Sequence, residues 1–364
     1  MLMLGEKNGK YLGTTIESMI LTRIIESNTR AFSIAHQSDA KLVQIDGQEY
    51  IYVVAFLVDG KQFVSGDKEG KIRRWRVEDG KEVGMPMDAG SPVLRIAVSR
   101  DGKWIVSGTE SGVVTVWAAE NHDKVTEFTG HKREVLAVDV SPDGTRIATG
   151  SADKTARIWS LLTSQRLLRP LGHDNELFAV KFSPNGRLIA TAASRSSVRI
   201  YDSQNRRRLV DFPIRVPDYA GCLAWASDST QLFVLSCDGI IHCLDVSTGK
   251  ALSQSGPVDY RTCIVLADND SFIAATGPFS LSFWDTATRR QIGAAIEHHD
   301  IDGMGAGCID MTISVNYDLV IAADKTITIQ SLWDIIPSSY LEVVSAPAPN
   351  ARCMTWISNS GVAF

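Results

Sequence analysis

Apolar and polar residues alternate in short blocks along this chain, and residues 130–160 (GHKREVLAVDVSPDGTRIATGSADKTARIWS) show the pattern most completely. An alternating apolar segment over residues 135–140 predicts a β-strand, and the Ser-Pro-Asp-Gly sequence after it predicts a tight turn. A second strand is predicted over residues 147–149, and a third strand ends at Trp159. The block therefore predicts a small antiparallel sheet.

The same block recurs along almost the whole chain. When the copies are aligned on the third-strand position, that position is occupied by Trp75, Trp117, Trp159, Tyr201, Leu244, Trp284 and Gln330. Successive positions are 42, 42, 42, 43, 40 and 46 residues apart, and the second-strand sequences FVSG, IVSG and IATG keep the same register. A single sheet of this size cannot bury both of its faces, so the copies are expected to stack on one another.

The repeat period, the Gly-His opening, the aspartate of the second turn and the tryptophan near the end of the block resemble the WD-repeat β-propeller family. The resemblance implies an all-β fold, a seven-bladed WD-repeat β-propeller, which we assign to residues 40–340. Residues 40–45 are predicted to be the outer strand of blade seven. They would close the ring, because an open ring leaves an exposed strand edge.

The resemblance also implies a structural tetrad, in which a histidine, a serine or threonine, an aspartate and a tryptophan are joined by hydrogen bonds. All four residue types occur together only in blade three. They are His131, Thr149, Asp153 and Trp159.

Later blades depart from this pattern. Blade four has Arg195 at the aspartate position and Tyr201 at the tryptophan position. Blade five has Leu244 in place of tryptophan, blade six has Pro278 in its turn, and blade seven has Gln330 in place of tryptophan. Blades four to six are therefore predicted more by period and alternation than by the tetrad, and blade seven is the weakest match to the pattern.

Two segments lie outside the predicted ring. In the N-terminal extension, residues 1–39, apolar residues of the segment 14–27 share one helical face, and Thr14 with Glu17 matches a capping box. This short amphipathic helix either packs on the propeller or binds a partner. The C-terminal tail, residues 341–364, contains APAPNA and is predicted to be a linker or tail.

Composition limits the classes of partner that the protein is expected to bind. The net charge of −5 argues against broad nucleic-acid binding, which needs a basic face. No apolar run approaches the length of a membrane span, and the N-terminus lacks the basic region of a secretory signal. The six cysteines form no CxxC pair and indicate reduced thiols. We therefore expect a cytoplasmic or nuclear protein that binds neither nucleic acid nor membranes.

The sequence offers little catalytic or metal-binding chemistry. Residues 303–307 (GMGAG) lack the Lys-Ser/Thr of a phosphate loop and do not join a strand to a helix. Residues 298–300 (HHD) are adjacent in sequence, and adjacent residues rarely converge on one metal ion. His131, Thr149 and Asp153 resemble a catalytic triad, but the tetrad accounts for them. No cofactor, metal or catalytic residue is predicted.

One face of the predicted disc collects candidate binding residues. In such a propeller, the loop before each first strand and the turn between the second and third strands lie on the same face. The alignment places these partner-binding candidates there: Tyr50, Lys68, Glu110, Arg133, Glu134, Glu176, Tyr219 and Tyr260. Tyrosine is favoured at binding hot spots because it buries much area at little entropic cost, although a tyrosine here could also pack between blades.

These observations predict a non-enzymatic scaffold or adaptor that recognises a protein segment of basic or apolar character across this face. One alternative is a structural subunit that assembles through the N-terminal helix. The other is a propeller enzyme, which would place carboxylates or histidines at the channel. The sequence of the repeats also resembles propellers attached to fungal signalling ATPases of the NACHT-like type. This resemblance would make the chain a detached sensor disc.

Overall fold

A computed structural model describes residues 42–47, 49–214, 223–236, 239–257, 263–267, 269–276, 280–297, 310–323 and 325–341. The predicted helix of residues 14–27, most of the C-terminal tail, Tyr219 and Tyr260 lie outside these described residues. In the described part of the chain, no helix is long and apolar enough to span a membrane.

The described chain is arranged as seven antiparallel sheets, which we number as blades one to seven. The chain enters through β1 (Leu42–Asp46). Blade one contains β2 (Ile51–Phe56), β3 (Gln62–Asp67), β4 (Lys71–Arg76) and β5 (Met87–Asp88). Blade two contains β6 (Val93–Val98), β7 (Trp104–Thr109), β8 (Val114–Ala118) and β9 (Lys124–Phe128).

Blade three has a broken outer strand. The blade contains β10 (Val135–Val140), β11 (Arg146–Ser151), β12 (Thr155–Ser160), β13 (Gln165–Arg166) and β14 (Leu171–Gly172). Both β13 and β14 pair with β12. Pro170, between them, has no N–H to donate, so a continuous ladder is interrupted there.

The remaining blades follow the same order from the inner to the outer strand. Blade four contains β15 (Leu177–Phe182), β16 (Leu188–Ala193), β17 (Val198–Asp202) and β18 (Arg208–Phe212). Blade five contains β19 (Leu223–Trp225), β20 (Gln231–Leu235), β21 (Ile240–Asp245) and β22 (Lys250–Pro257). Blade six contains β23 (Cys263–Leu266), β24 (Phe272–Thr276), β25 (Ser280–Asp285) and β26 (Gln291–Glu297).

Blade seven is built from both ends of the described chain. It contains β27 (Asp310–Ile313), β28 (Asp318–Ala323) and β29 (Thr326–Ser331), and its outer strand is β1. The pairing of β1 with β29 runs from Leu42 opposite Gln330 to Asp46 opposite Thr326. The inner strands touch in the order β2, β6, β10, β15, β19, β23, β27 and back to β2. The prediction of a closed, seven-bladed, all-β propeller is thus confirmed.

The predicted register is also observed in every blade. Each aligned third-strand residue lies opposite a residue of the second strand: Phe63 with Trp75, Ile105 with Trp117, Ile147 with Trp159, Ile189 with Tyr201, Leu232 with Leu244, Ile273 with Trp284 and Leu319 with Gln330. The repeat therefore holds in blades four to seven, where tetrad residues are missing.

The hydrophobic core lies between neighbouring blades. Val64 and Ile72 of blade one pack with Val93 and Ile105 of blade two, and all four are fully buried. Burying one such side chain contributes roughly 1.5–3 kcal/mol. The second-strand glycine lets the sheets approach closely, since a Cβ on Gly66 would lie 2.6 Å from Val93 Cγ1.

After β29 the chain makes two 3-10 turns, Leu332–Asp334 and Ser338–Tyr340, which pack on blades six and seven. Leu332 and Leu341 are buried there. The Tyr340 hydroxyl donates a hydrogen bond to the Asp285 carboxylate at 2.9 Å. The segment that follows the ring is therefore anchored to the turns of blade six as far as Leu341.

The two faces of the ring carry different loops. The upper face holds the loops before each first strand and the turns between second and third strands. The lower face holds the turns between first and second strands. This assignment follows from the antiparallel order of strands within each blade.

Candidate functional site

A buried chain of hydrogen bonds joins the four tetrad residues of blade three. Trp159 Nε1 donates to Thr149 Oγ1 at 2.9 Å, and Thr149 Oγ1 lies 2.7 Å from His131 Nε2. His131 Nδ1 lies 2.9 Å from Asp153 Oδ2. If the Thr149 hydroxyl donates to His131 Nε2 and the His131 Nδ1–H donates to the Asp153 carboxylate, every hydrogen in this set of bonds has one acceptor. The arrangement connects the upper turn to the interior of the blade.

The protonation states of the tetrad residues follow from burial and hydrogen bonding. Burial lowers the pKa of His131, although the Asp153 carboxylate opposes that shift. Burial alone would raise the pKa of Asp153, but hydrogen bonds from Thr155 and His131 outweigh it and lower that pKa to about 2. At neutral pH the tetrad therefore contains a neutral imidazole and an ionised carboxylate. The Thr149 hydroxyl is fully buried, so it is not placed to attack a substrate.

Other blades keep parts of this hydrogen-bonded tetrad. Trp75 Nε1 donates to Ser65 Oγ at 2.8 Å in blade one, and the matching bond joins Trp117 to Ser107 at 2.9 Å in blade two. In blade six, Trp284 Nε1 instead donates to Ser282 Oγ of its own strand at 3.1 Å. A serine or threonine near the tryptophan N–H is thus retained in four blades.

In blade four, where Arg195 occupies the aspartate position, the guanidinium of Arg199 lies next to the histidine. Arg199 Nη1 lies 3.4 Å from His173 Nδ1, and Arg199 Nη2 donates to Asp174 Oδ2 at 2.8 Å. Burial, together with the positive charge of Arg199, lowers the pKa of His173 to about 4. His173 is therefore neutral at pH 7, and Nδ1 can accept from the guanidinium.

The candidate binding residues of blades one to four lie on the upper face in backbone-paired positions. The residue before each first strand accepts a hydrogen bond from the residue at the second turn. The pairs are Tyr50 with Lys68 at 2.8 Å, Pro92 with Glu110 at 2.9 Å, Glu134 with Ala152 at 3.0 Å and Glu176 with Ser194 at 2.8 Å. These bonds hold the two rows of residues side by side.

Arg133 joins two of the predicted glutamates. Its guanidinium lies 2.7 Å from Glu176 Oε1 and 3.3 Å from Glu134 Oε2. The same side chain donates to the Ala152 carbonyl oxygen at 3.3 Å. The network links blades three and four, and it leaves these two glutamates paired rather than free to meet a basic partner.

Tyr50 is the exposed aromatic residue of the upper face in the described part of the chain, with 41% of its surface accessible. Lys68 Nζ lies 5.7 Å and Lys325 Nζ 5.3 Å from the centre of its ring. Lys325 also lies 3.8 Å from Glu49 Oε2. Two cations therefore flank one amphipathic ring where blades seven and one meet. Glu110, on blade two, is exposed and forms no ion pair within the described residues.

Comparison with known proteins identifies three of the repeats. Residues 87–118, 122–160 and 165–202 match the family described as WD domain, G-beta repeat. These three segments are therefore similar to WD40 repeats. Each begins at the outer strand of one blade and ends after the third strand of the next, so each matched segment spans two neighbouring blades.

Two solved structures share the fold. The structures described as "Crystal structure of RRP9 WD40 repeats" and "Structure of U3-55K" each align with a TM-score of 0.69 and 18% sequence identity. Each alignment covers 80% of this chain, and it covers 97% of the first structure and 98% of the second. At this identity the likeness shows the fold alone. No curated protein sequence matched the chain significantly.

The central channel of the propeller holds charged residues that were not among the sequence-based candidates. The first strands line a cavity of about 610 Å³, which includes Arg95, Asp139, Lys181 and Asp310. Asp139 Oδ2 accepts a hydrogen bond from the Phe182 N–H at 2.7 Å. Burial raises the pKa of the Asp139 and Asp310 carboxyl groups. The sequence signal that could have identified these channel residues was a charged residue within an otherwise apolar first strand.

These channel carboxylates hold neighbouring blades together. Asp139 reaches from blade three to blade four, and Asp310 Oδ2 accepts from the Val54 N–H of blade one at 3.0 Å. Within the described residues, no group of three or more His, Cys, Asp or Glu side chains is arranged to hold a metal ion.

Proposed function

We propose that this chain is a non-enzymatic scaffold or adaptor that binds a protein segment across the upper face of its propeller. The observation that carries the proposal is the exposed Tyr50 ring between Lys68 and Lys325. Such a ring offers an apolar surface whose position is already restricted, so little conformational entropy is lost on binding.

The charges of this face suggest what the segment carries. Tyr50 would pack against an apolar side chain, and the unpaired Glu110 would receive a basic one. Because Arg133 already pairs with Glu134 and Glu176, these residues would contribute shape and orientation more than charge. The backbone pairs of the upper face support a preformed surface, which lowers the ordering cost of association.

The side chains that resemble a catalytic triad are already engaged in structural hydrogen bonds, which favours a binding function over a catalytic one. Thr149, His131 and Asp153 form hydrogen bonds with one another within blade three, and the Thr149 hydroxyl is buried. Asp139 and Asp310 accept hydrogen bonds from backbone N–H groups of neighbouring blades, and Asp139 also pairs with Lys181.

The test compares partners captured from the cells that make the protein. Tagged wild-type protein and the double variant Tyr50→Ala with Glu110→Lys are used as bait, and captured proteins are identified by mass spectrometry. Val125→Ala is the matched control, because Val125 is also exposed but lies on the outer strand of blade two. Thermal unfolding checks that all three proteins are folded.

The proposal requires that partners bound by wild type and Val125→Ala are lost from the double variant. Equal capture by the double variant would place binding elsewhere. Two further parts of the proposal are cytoplasmic or nuclear localisation and a sensor role, similar to that of propellers attached to fungal signalling ATPases. Fractionation of the cells checks the first.

A further inference from the structure

The lower mouth of the channel is surrounded by equivalent residues of successive blades. Each follows the first strand of its blade by two residues, and five of them line the cavity: Val58, Arg100, Pro142, Pro184 and Val315. We call these five residues the lower collar. Four are apolar and one is a cation, so its chemistry differs from the charged upper face.

The apolar part of the collar extends outward across blades seven and one. Val58 and Val315 are 46% and 45% exposed, and Trp333, which contacts the residues that follow Val315, is 49% exposed. Trp333 Nε1 donates to the Asn316 carbonyl oxygen at 3.1 Å, and its ring packs perpendicular to that of Tyr317 with the ring centres 5.7 Å apart. The exposed indole is therefore held in place by two contacts.

The turns that carry these side chains are in contact with one another. A Cβ on Gly60 would lie 3.1 Å from Val315 Cγ2, which joins blade one to blade seven. A Cβ on Gly102 would lie 3.6 Å from Val58 Cγ2, which joins blade two to blade one. Val315 and Val58 thus lie along a line of contacting turns that runs from blade seven through blade one to the turn that carries Arg100.

Arg100 supplies a charge without a counterion. It is exposed, and within the described residues no carboxylate or carbonyl oxygen pairs with its guanidinium. The neighbouring acids are engaged in their own turns: Asp101 accepts from Ser99 Oγ at 2.6 Å, and Asp59 accepts from the Lys61 N–H at 3.0 Å. The collar therefore offers an unpaired positive charge beside an apolar surface.

We propose that the lower collar binds a second protein segment, one that carries a bulky apolar side chain next to a carboxylate. The apolar side chain would enter the channel mouth between Val58 and Val315, where the cavity has room for it. The carboxylate would pair with Arg100. Charge complementarity selects an acidic segment here, whereas the upper-face proposal places a basic side chain at Glu110, so one chain could join two different partners.

The test uses two pools of fluorescein-labelled octapeptides and the full-length protein. Every peptide has one central leucine or tryptophan. In the acidic pool two aspartates flank that residue, and in the basic pool two lysines replace them. Binding is measured by fluorescence anisotropy for wild type, Arg100→Glu, Val58→Ser with Val315→Ser, and the matched control Lys103→Glu. Lys103 lies on the same turn as Arg100 but pairs with Asp101.

The proposal predicts that wild type binds the acidic pool at least tenfold more tightly than the basic pool. Arg100→Glu should reverse this preference, the double serine variant should weaken both pools at least fivefold, and Lys103→Glu should keep the wild-type preference. The inference is overturned if wild type does not distinguish the pools, or if Arg100→Glu behaves as wild type.

The upper-face variant Tyr50→Ala with Glu110→Lys separates this inference from the proposed function. The lower-collar proposal expects that variant to bind the acidic pool as wild type does. A loss of acidic-pool binding in that variant, with Arg100→Glu unaffected, would move the site to the upper face and overturn the proposal.

Discussion

The Asp310 carboxylate of blade seven accepts a hydrogen bond from the Val54 N–H of blade one at 3.0 Å. These two residues are 256 positions apart, and their bond crosses the point where the ring closes. The pairing of β1 with β29 closes the same blade at its outer edge. The ring is therefore held shut both at the channel and at the rim.

Replacing Asp310 with alanine should lower the free energy of unfolding by about 1–3 kcal/mol, because the Val54 N–H loses its acceptor and the nearby cations lose a counterion. Asp310→Asn retains an oxygen acceptor and should lose less. Urea unfolding at pH 7 measures both. Equal stability of wild type and Asp310→Ala would contradict a closing role for this bond.

Ile45→Ala should destabilise the outer closure. Ile45 is only 8% exposed and packs in the core between blades seven and one, so we expect a loss of about 2–5 kcal/mol. Gln44→Ala, at the exposed neighbouring position in the same strand, is the matched control and should change stability by under about 0.5 kcal/mol. Thermal unfolding with light scattering measures both. If the two variants unfold alike, β1 contributes little to closure.

Thr149→Val should remove the centre of the tetrad. The variant leaves the Trp159 N–H and His131 Nε2 without their buried partner, which costs about 1–3 kcal/mol. Thr191→Val in blade four is the control, since among the described residues the Thr191 hydroxyl makes one longer bond, of 3.3 Å, to the Arg199 carbonyl oxygen. Chemical denaturation should therefore rank Thr149→Val below Thr191→Val. The reverse order would show that the blade-three tetrad is not the stronger network.

Stability should fall in mild acid because of His173. The folded protein keeps His173 neutral until pH falls to about 4, whereas the unfolded chain binds this proton near pH 6.5. The unfolded state therefore binds more protons between these values, and the free energy of unfolding decreases as pH falls through them, by up to about 3 kcal/mol. Lowered pKa values of His131 and Asp153 act in the same direction, the latter only below pH 3.8.

His173→Gln tests this assignment. The variant should lose less stability than wild type between pH 6.5 and pH 4.5, as measured by urea unfolding at both values. Each protein serves as its own reference at pH 6.5, so a general loss of stability does not affect the comparison. An unchanged pH dependence would show that His173 is not the group responsible.

The sequence by itself determined the blades. The spacing of Trp75, Trp117 and Trp159 predicted a repeated three-strand register that the structure confirms, because strand alternation and turn chemistry are local properties of the chain. The outer strand over residues 40–45 was also predictable, since a ring of this kind must cover its last edge. The observed strand is Leu42–Asp46.

Only the tertiary structure decided which side chains meet. It pairs Arg133 with Glu176 of the next blade, places Asp310 against Val54, and aligns Val58 with Arg100 around the lower mouth. The period indicates which positions are equivalent, but a side chain's partner depends on how far it reaches across the gap between blades and on what the neighbouring blade presents there. Those distances arise only when the ring closes, so no local pattern in the chain encodes them.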